Sequence, residues 1–174
     1  MPRRIILGLL LLAACGPTQP PDFSYGGRGF QPENARLNLS YAERNFGDMS
    51  RYRGKPAEAA AALAQFEAAM DGMRRPNSDI MFPRTRYEML LSAIREVRGA
   101  TGIPMEVLPS VASQALAGAV GPLTAGDAAG IRRALSNPAF TLGPDATLAR
   151  LTNLPPLPAL ESVAPALTFA AGNP

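Results

Sequence analysis

Apolar residues recur at helical spacing along the first half of the chain. Leu39, Ala42, Phe46 and Met49 stand at i, i+3, i+7 and i+10. Leu63, Phe66, Met70 and Met73 repeat that spacing, and so do Tyr87, Leu90, Ile94 and Val97. An α-helix turns once in about 3.6 residues, so each set forms one stripe down a helix face. Glu43 and Arg44, then Glu67 and Asp71, then Glu88, Arg95 and Glu96 fall on the opposite faces and are predicted to meet solvent. Punctuation agrees with this reading. Pro56 suits a helix start and precedes the alanine-rich run from Glu58 to Ala64, the strongest local helix former in the chain. Pro76 and Pro83 bracket a connector, and Gly99 and Gly102 close the third helix.

Beyond Met105 the composition shifts. Residues 107–174 hold six charged residues and nine prolines, yet short helices still read through. Pro109 to Val120 carries Val111, Ala115 and Leu116; Thr124 and Asp127 resemble a helix-start cap before Ile131 and Leu135; Pro144-Asp145 opens a segment with Leu148 and Leu151. Leu154-Pro155-Pro156-Leu157-Pro158 then interrupts the pattern, and the end reads as a loosely held arm rich in proline and alanine. The low charge argues that much of this half packs against the first helices, because an independent tail would expose a large apolar surface. The expected fold class is all-α: a small bundle of three main amphipathic helices with shorter C-terminal helices, behind an extended Pro/Gly-rich tether. The helix–turn–helix look of Tyr41 to Met73 resembles a tetratricopeptide unit, but its pattern does not recur at that family's spacing, so a solenoid is not expected.

The start of the chain carries a different signal. Met1-Pro2-Arg3-Arg4 is short and positive, and Ile5 to Ala14 is apolar, with Gly8 its one weak point. Ten residues of helix rise about 15 Å, roughly half the hydrocarbon thickness of a bilayer. That length and those flanks suit the n-region and h-region of an export signal. Leu12-Ala13-Ala14-Cys15 then resembles the lipobox of bacterial lipoproteins. The resemblance implies cleavage between Ala14 and Cys15 and acylation of the Cys15 sulfur. It implies a membrane held through N-terminal acyl chains. Gly16 stands where an inner-membrane retention signal would place Asp, so the periplasmic face of the outer membrane is the expected address. An ordinary cleaved signal followed by an incidental cysteine is the alternative.

Four segments follow: a signal peptide over 1–14, an acylated N-terminus and linker over 15–32, a helical domain over 33–153, and a C-terminal arm over 154–174. The linker, with Pro17, Pro20 and Pro21 ahead of Gly26-Gly27-Arg28-Gly29, fits neither helix nor strand period. Its glycines do not form a phosphate-binding GxGxxG, and Phe23, Tyr25 and Phe30 are its apolar members.

Charge changes once the leader is considered. Formally the chain carries 17 basic and 14 acidic residues; loss of Arg3 and Arg4 leaves 15 basic residues and a net charge of +1. A basic stripe for nucleic acid is therefore not expected. There is no histidine, and the one cysteine is committed to the lipobox, so imidazole chemistry, an internal disulfide and a cysteine-based metal site are excluded. No cofactor or metal is expected. No serine lies in GxSxG or beside an SxxK lysine, and the single lysine, Lys55, lies in a turn before a helix.

Paired carboxylates could hydrolyse a cell-wall glycan, with Glu43, Glu88, Glu96 and Glu106 as candidates, although each is expected on a solvated face or loop. Arginine is more suggestive. Arg74 and Arg75 end one predicted helix, Arg84 and Arg86 open the next, and a short loop could gather the four as an anion site for lipid phosphate or acidic peptidoglycan groups. Helix caps and salt bridges to Asp79 and Glu88 are the plainer role. The preferred function is a non-catalytic, lipid-anchored envelope module that binds a partner or serves structure. The envelope hydrolase is the alternative.

Overall fold

The computed structural model describes residues 34–172, in which all regular structure is helical. Ala14, Cys15 and the 15–32 linker lie outside the described residues. The first apolar stripe is cut into three pieces: α1 (Ala35–Ser40), α2 (Ala42–Phe46) and a 3-10 turn at Met49–Tyr52. Local polar chemistry sets the cuts. Asn34 caps α1 by accepting from Leu37 N at 2.9 Å, and Asp48 caps the 3-10 turn by accepting from Ser50 N at 3.0 Å. Hydrogen bonds from the Ser50 hydroxyl and backbone hold the Asp48 carboxyl below the usual carboxylate range. Leu39, Ala42, Phe46 and Met49 are all buried even so, because breaking the helix leaves the stripe facing one way.

The long helix α3 (Pro56–Arg74) runs through the middle of the molecule, against α1, α5 (Pro109–Ala125) and α7 (Pro144–Thr152). Every residue from Ala59 to Met70 is buried. A helix this enclosed needs small side chains where neighbours cross closely, and both helices of the α3–α5 pair are rich in buried alanine: Ala59 to Ala62 and Ala64 on one, Ala112, Ala115 and Ala119 on the other. Ser113 Oγ donates to the Ala64 carbonyl across that pairing at 2.9 Å. Gly72 extends the logic to α1, since a Cβ there would stand 2.1 Å from Ala35 Cβ.

α4 (Tyr87–Thr101) ends at Gly102, whose φ of +68° closes the helix in the left-handed conformation that favours glycine. Gly99 lies inside that helix instead of closing it. α5 passes Val120 and continues through Thr124 to Ala125, so Thr124 is a helical residue and Asp127 alone precedes α6 (Ala128–Leu135).

The segment beyond Leu154 corrects the expectation of a loose arm. Pro158–Gly172 forms α8, which packs against α1, α2 and α4 and buries Leu160, Val163 and Leu167. Full burial of each such side chain contributes about 1.5–3 kcal/mol. Polar contacts hold its length. Glu96 Oε2 on α4 accepts from Ala159 N and Leu160 N at 2.8 and 3.2 Å, placing a carboxylate at the α8 N-terminus. Glu161 Oε1 accepts from Met49 N, Thr168 Oγ1 accepts from Glu43 N, and Arg36 Nη1 donates to the Ala171 carbonyl near the other end. Pro155, Pro156 and Pro158 mark a connector into a helix, with Pro158 at its first position.

Candidate functional site

The site is an apolar groove of about 380 Å³ between the C-terminal end of α3 and the outer face of α4. α3 supplies Met70, Met73 and Arg74, and the connector supplies Ile80 and Phe82. α4 contributes Tyr87, Leu90, Leu91 and Ile94, and the following loop closes one side with Met105 and Val107. This volume is in the range of small-molecule sites, which are lined mainly by apolar side chains with a few polar groups. Three methionines give it adaptable, polarisable walls. Phe82 and Tyr87 meet edge to face with ring centres 5.8 Å apart.

The groove is built on a buried ion pair. Arg98 and Glu67 are each almost wholly enclosed and meet through two parallel contacts: Nε to Oε1 at 3.1 Å and Nη2 to Oε2 at 2.9 Å. Arg98 Nη1 also donates to the carbonyls of Pro104, Met105 and Val107. One guanidinium therefore joins α3 to α4 and shapes the loop that carries Met105. Burial pushes the Glu67 carboxyl above its usual range, while the hydrogen bonds and charge of Arg98 draw it down. Glu67 was expected on a solvated face; instead α3 is buried from Ala59 to Met70 and the Glu67 carboxylate serves the interior.

A second polar cluster lies deeper. Asn45 Nδ2 donates to Gln65 Oε1 at 2.7 Å, Gln65 Nε2 donates to the Asn38 carbonyl at 2.5 Å, and the Tyr52 hydroxyl donates to the Asn45 carbonyl at 2.9 Å. These satisfied groups tie α1 and α2 to α3 and align the helices on which the groove is carried.

The four arginines do not share one hollow. Arg74 lines the groove. Arg75 lines a neighbouring shallow hollow with Asn34, Arg36 and Ile80, and pairs with Asp71 at 3.1 Å. Arg84 and Arg86 are exposed on the 3-10 turn that leads into α4. Asp79 pairs with Arg36 at 2.7 Å, and that contact holds its carboxyl below the usual range.

The glutamates are equally dispersed in role. Glu43, Glu88 and Glu106 are exposed, and the Glu96 carboxylate caps α8. Glu88 and Glu96 line a shallow hollow with Met89, Ser92 and Pro158, in which the Glu96 Oε2 atom already accepts two backbone N–H groups. Lys55 directly precedes α3, where its backbone oxygen accepts from Ala59 N. Among the described residues no group of three or more His, Cys, Asp or Glu converges as a metal site, and no helix is long and apolar enough to cross a membrane.

Several members of the site were not legible as such. Glu67 and Arg98 lie 31 positions apart, and each alone reads as an ordinary helix-surface charge. Ile80, Phe82 and Met105 fall outside the periodic stripes. A modest signal existed in the density of methionine and aromatic residues from Met70 to Met89, more than one narrow stripe requires. No protein-family model, curated protein or solved structure matches the chain.

Proposed function

We propose that this protein is a lipid-anchored component of a bacterial cell envelope whose helical domain is a non-catalytic binding module, with the groove between α3 and α4 as its binding site for an apolar ligand. Support for the anchor comes from the leader and from Leu12-Ala13-Ala14-Cys15, and Gly16 favours the periplasmic face of the outer membrane. The observation that carries the binding reading is the groove's setting. Its methionine-lined interior continues into exposed Tyr87, Leu91 and Met105, with Met81 of the connector and Leu108 of the following loop nearby in sequence and also exposed. Met81 is 77% exposed, although burying it would be favourable. Contiguous exposed apolar surface of this kind marks interaction sites.

The ligand class is an acyl chain or the apolar side chains of a protein segment, because the walls offer mainly dispersion contacts, with the mutually paired Glu67 and Arg98 in the lining and the exposed Arg74 at the rim. Two experiments test the two halves separately. Cys15→Ser is expected to abolish incorporation of radiolabelled palmitate; persistent label in that variant refutes the anchor. The purified protein is expected to bind a fluorescent naphthylamine probe, and Leu91→Asp to weaken that binding about tenfold or more by placing a charge in the wall. Equal affinity in parent and variant removes the groove from the function.

A further inference from the structure

We infer that the groove takes a fatty acid, held with its carboxylate head beside Arg74 and Tyr87 and its hydrocarbon tail toward the Glu67–Arg98 pair; this rests on the reading of the groove as an apolar binding site and names its ligand. The groove is polarised along its length. Glu67 and Arg98 touch, and so fix where α3 and α4 face one another at one end. Arg74 stands seven residues further along α3, about 10 Å away, and Tyr87 stands eleven residues before Arg98 on α4, about 16 Å away. The other two polar side chains of the lining, each able to donate a hydrogen bond, are thus displaced to the same end. Between the two ends the wall is apolar, with Met70, Leu90, Leu91 and Ile94.

Charge favours an anion at the Arg74 end. Among the described residues Arg74, Arg84 and Arg86 make no ion pair. Arg84 and Arg86 belong to the turn between Phe82 and Tyr87, both of which line the groove. The neighbouring acids are engaged elsewhere: Asp71 pairs with Arg75, Asp79 pairs with Arg36, and Glu88 lines the separate hollow that it shares with Glu96. A guanidinium fork matches the geometry of a carboxylate. The inner wall favours a hydrocarbon over a peptide. Glu67 and Arg98 satisfy one another, and Arg98 takes the carbonyls of Pro104, Met105 and Val107. A peptide laid there would bury N–H and C=O groups against apolar side chains, whereas an acyl chain brings none to satisfy. A volume of about 380 Å³ lies at the small end of small-molecule sites, which suits one chain rather than the pair of a diacyl lipid.

The test uses the full chain in nanodiscs of zwitterionic lipid, labelled with palmitate that carries a photoreactive diazirine at its methyl end. Unlabelled palmitate and hexadecanol, equal in chain length, then compete for the label in the parent, in Arg74→Gln and in Arg133→Gln, an exposed position on α6 away from the groove. Each protein meets the same bilayer, so partition into lipid cancels when their preferences are compared. Adducts are expected on the loop side of the groove, at Met105 or Val107. The preference for palmitate over hexadecanol is expected to drop about threefold to fivefold in Arg74→Gln and to stay unchanged in Arg133→Gln. An unchanged preference in Arg74→Gln overturns the inference, as do adducts confined to the Arg74 and Tyr87 end. Palmitate that labels nothing in a protein that still binds the naphthylamine probe overturns the inference and leaves the groove standing as a binding site. A protein that takes up neither refutes the groove's binding function as well. Displacement of the probe by an apolar peptide and not by palmitate would assign the groove to a protein segment and overturn the inference too.

Discussion

Two sides of α3 show opposite solutions to burying a helix. Toward α5, both helices are rich in buried alanine, and Ser113 Oγ is satisfied by the Ala64 carbonyl. On the side facing α4, larger residues (Met70, Met73, Leu90, Ile94) meet without closing, and the space between them is the groove. The first side is finished by the fold. The second is held open by Arg98, which fixes the loop after α4 through three carbonyls and leaves Met105 49% exposed at the margin.

The largest expected effect comes from removing the guanidinium that separates the two designs. Arg98→Ala leaves Glu67 buried without its partner and is expected to cost about 3–5 kcal/mol, measured by denaturant midpoint. Its pH dependence carries a sign. Burial raises the folded-state pKa of Glu67, so between the unfolded value and that raised value the native state binds more protons than the unfolded chain. Stability from this group therefore falls as pH rises through that window, and loss of Arg98 extends the window upward. The variant should lose stability more steeply than the parent as pH rises through that window. The double variant Glu67→Leu with Arg98→Met should recover much of the loss and remove that slope. A flat profile in Arg98→Ala would show that the pair contributes no such coupling.

Gly72→Ala comes next, because its Cβ would press on Ala35 at the junction of α1 and α3. Overpacking there is expected to cost about 1–3 kcal/mol, while the same substitution at Gly118 on α5, with open space around it, should cost no stability. Equal effects at the two positions would show that the α1–α3 contact is not sterically limited. Glu96→Ala removes the carboxylate from the start of α8 and should lower stability by about 1–2 kcal/mol; hydrogen exchange should report it first at Ala159 and Leu160. The smallest effect belongs to the open side. Met81→Ser is expected to change stability by less than about 0.5 kcal/mol, since the side chain is already in solvent, and any larger loss would mean that it is covered by another part of the chain.

Local signals in the chain were read well where they were self-contained. Proline at a helix start marks Pro56, Pro109 and Pro144 in the structure, and Gly102 ends α4 as its position beyond the apolar stripe predicts; Pro158, read as interrupting the pattern, opens a helix instead. Leu39, Phe46, Leu63, Phe66, Leu90 and Val97 are all core residues, as their spacing implies. Where several distant segments must agree, the reading failed. Glu67 belongs to a solvated face only if α3 has one, and the number of helices around α3 is a property of the whole assembly. The alanine and proline of the last twenty residues looked like an arm because alanine gives no periodic contrast; α8 is fixed by the Glu96 carboxylate of α4 and by its own Thr168 hydroxyl and Glu161 carboxylate, which accept from the backbone N–H groups of Glu43 and Met49.

The amino-acid order alone determined that the described part of the chain is helical, where several helices start, and which residues of the first helices enter the core, because those properties follow from turn geometry and spacing within a few residues. It also carries Leu12-Ala13-Ala14-Cys15, the run of adjacent side chains on which the proposed anchor rests. Tertiary structure decided which faces are enclosed, that Glu67 and Arg98 meet, that the four arginines are spread over separate surfaces, and that a groove remains between α3 and α4. Those outcomes depend on contacts across tens of residues, where burial rather than local preference sets the energy of a charge or an apolar side chain.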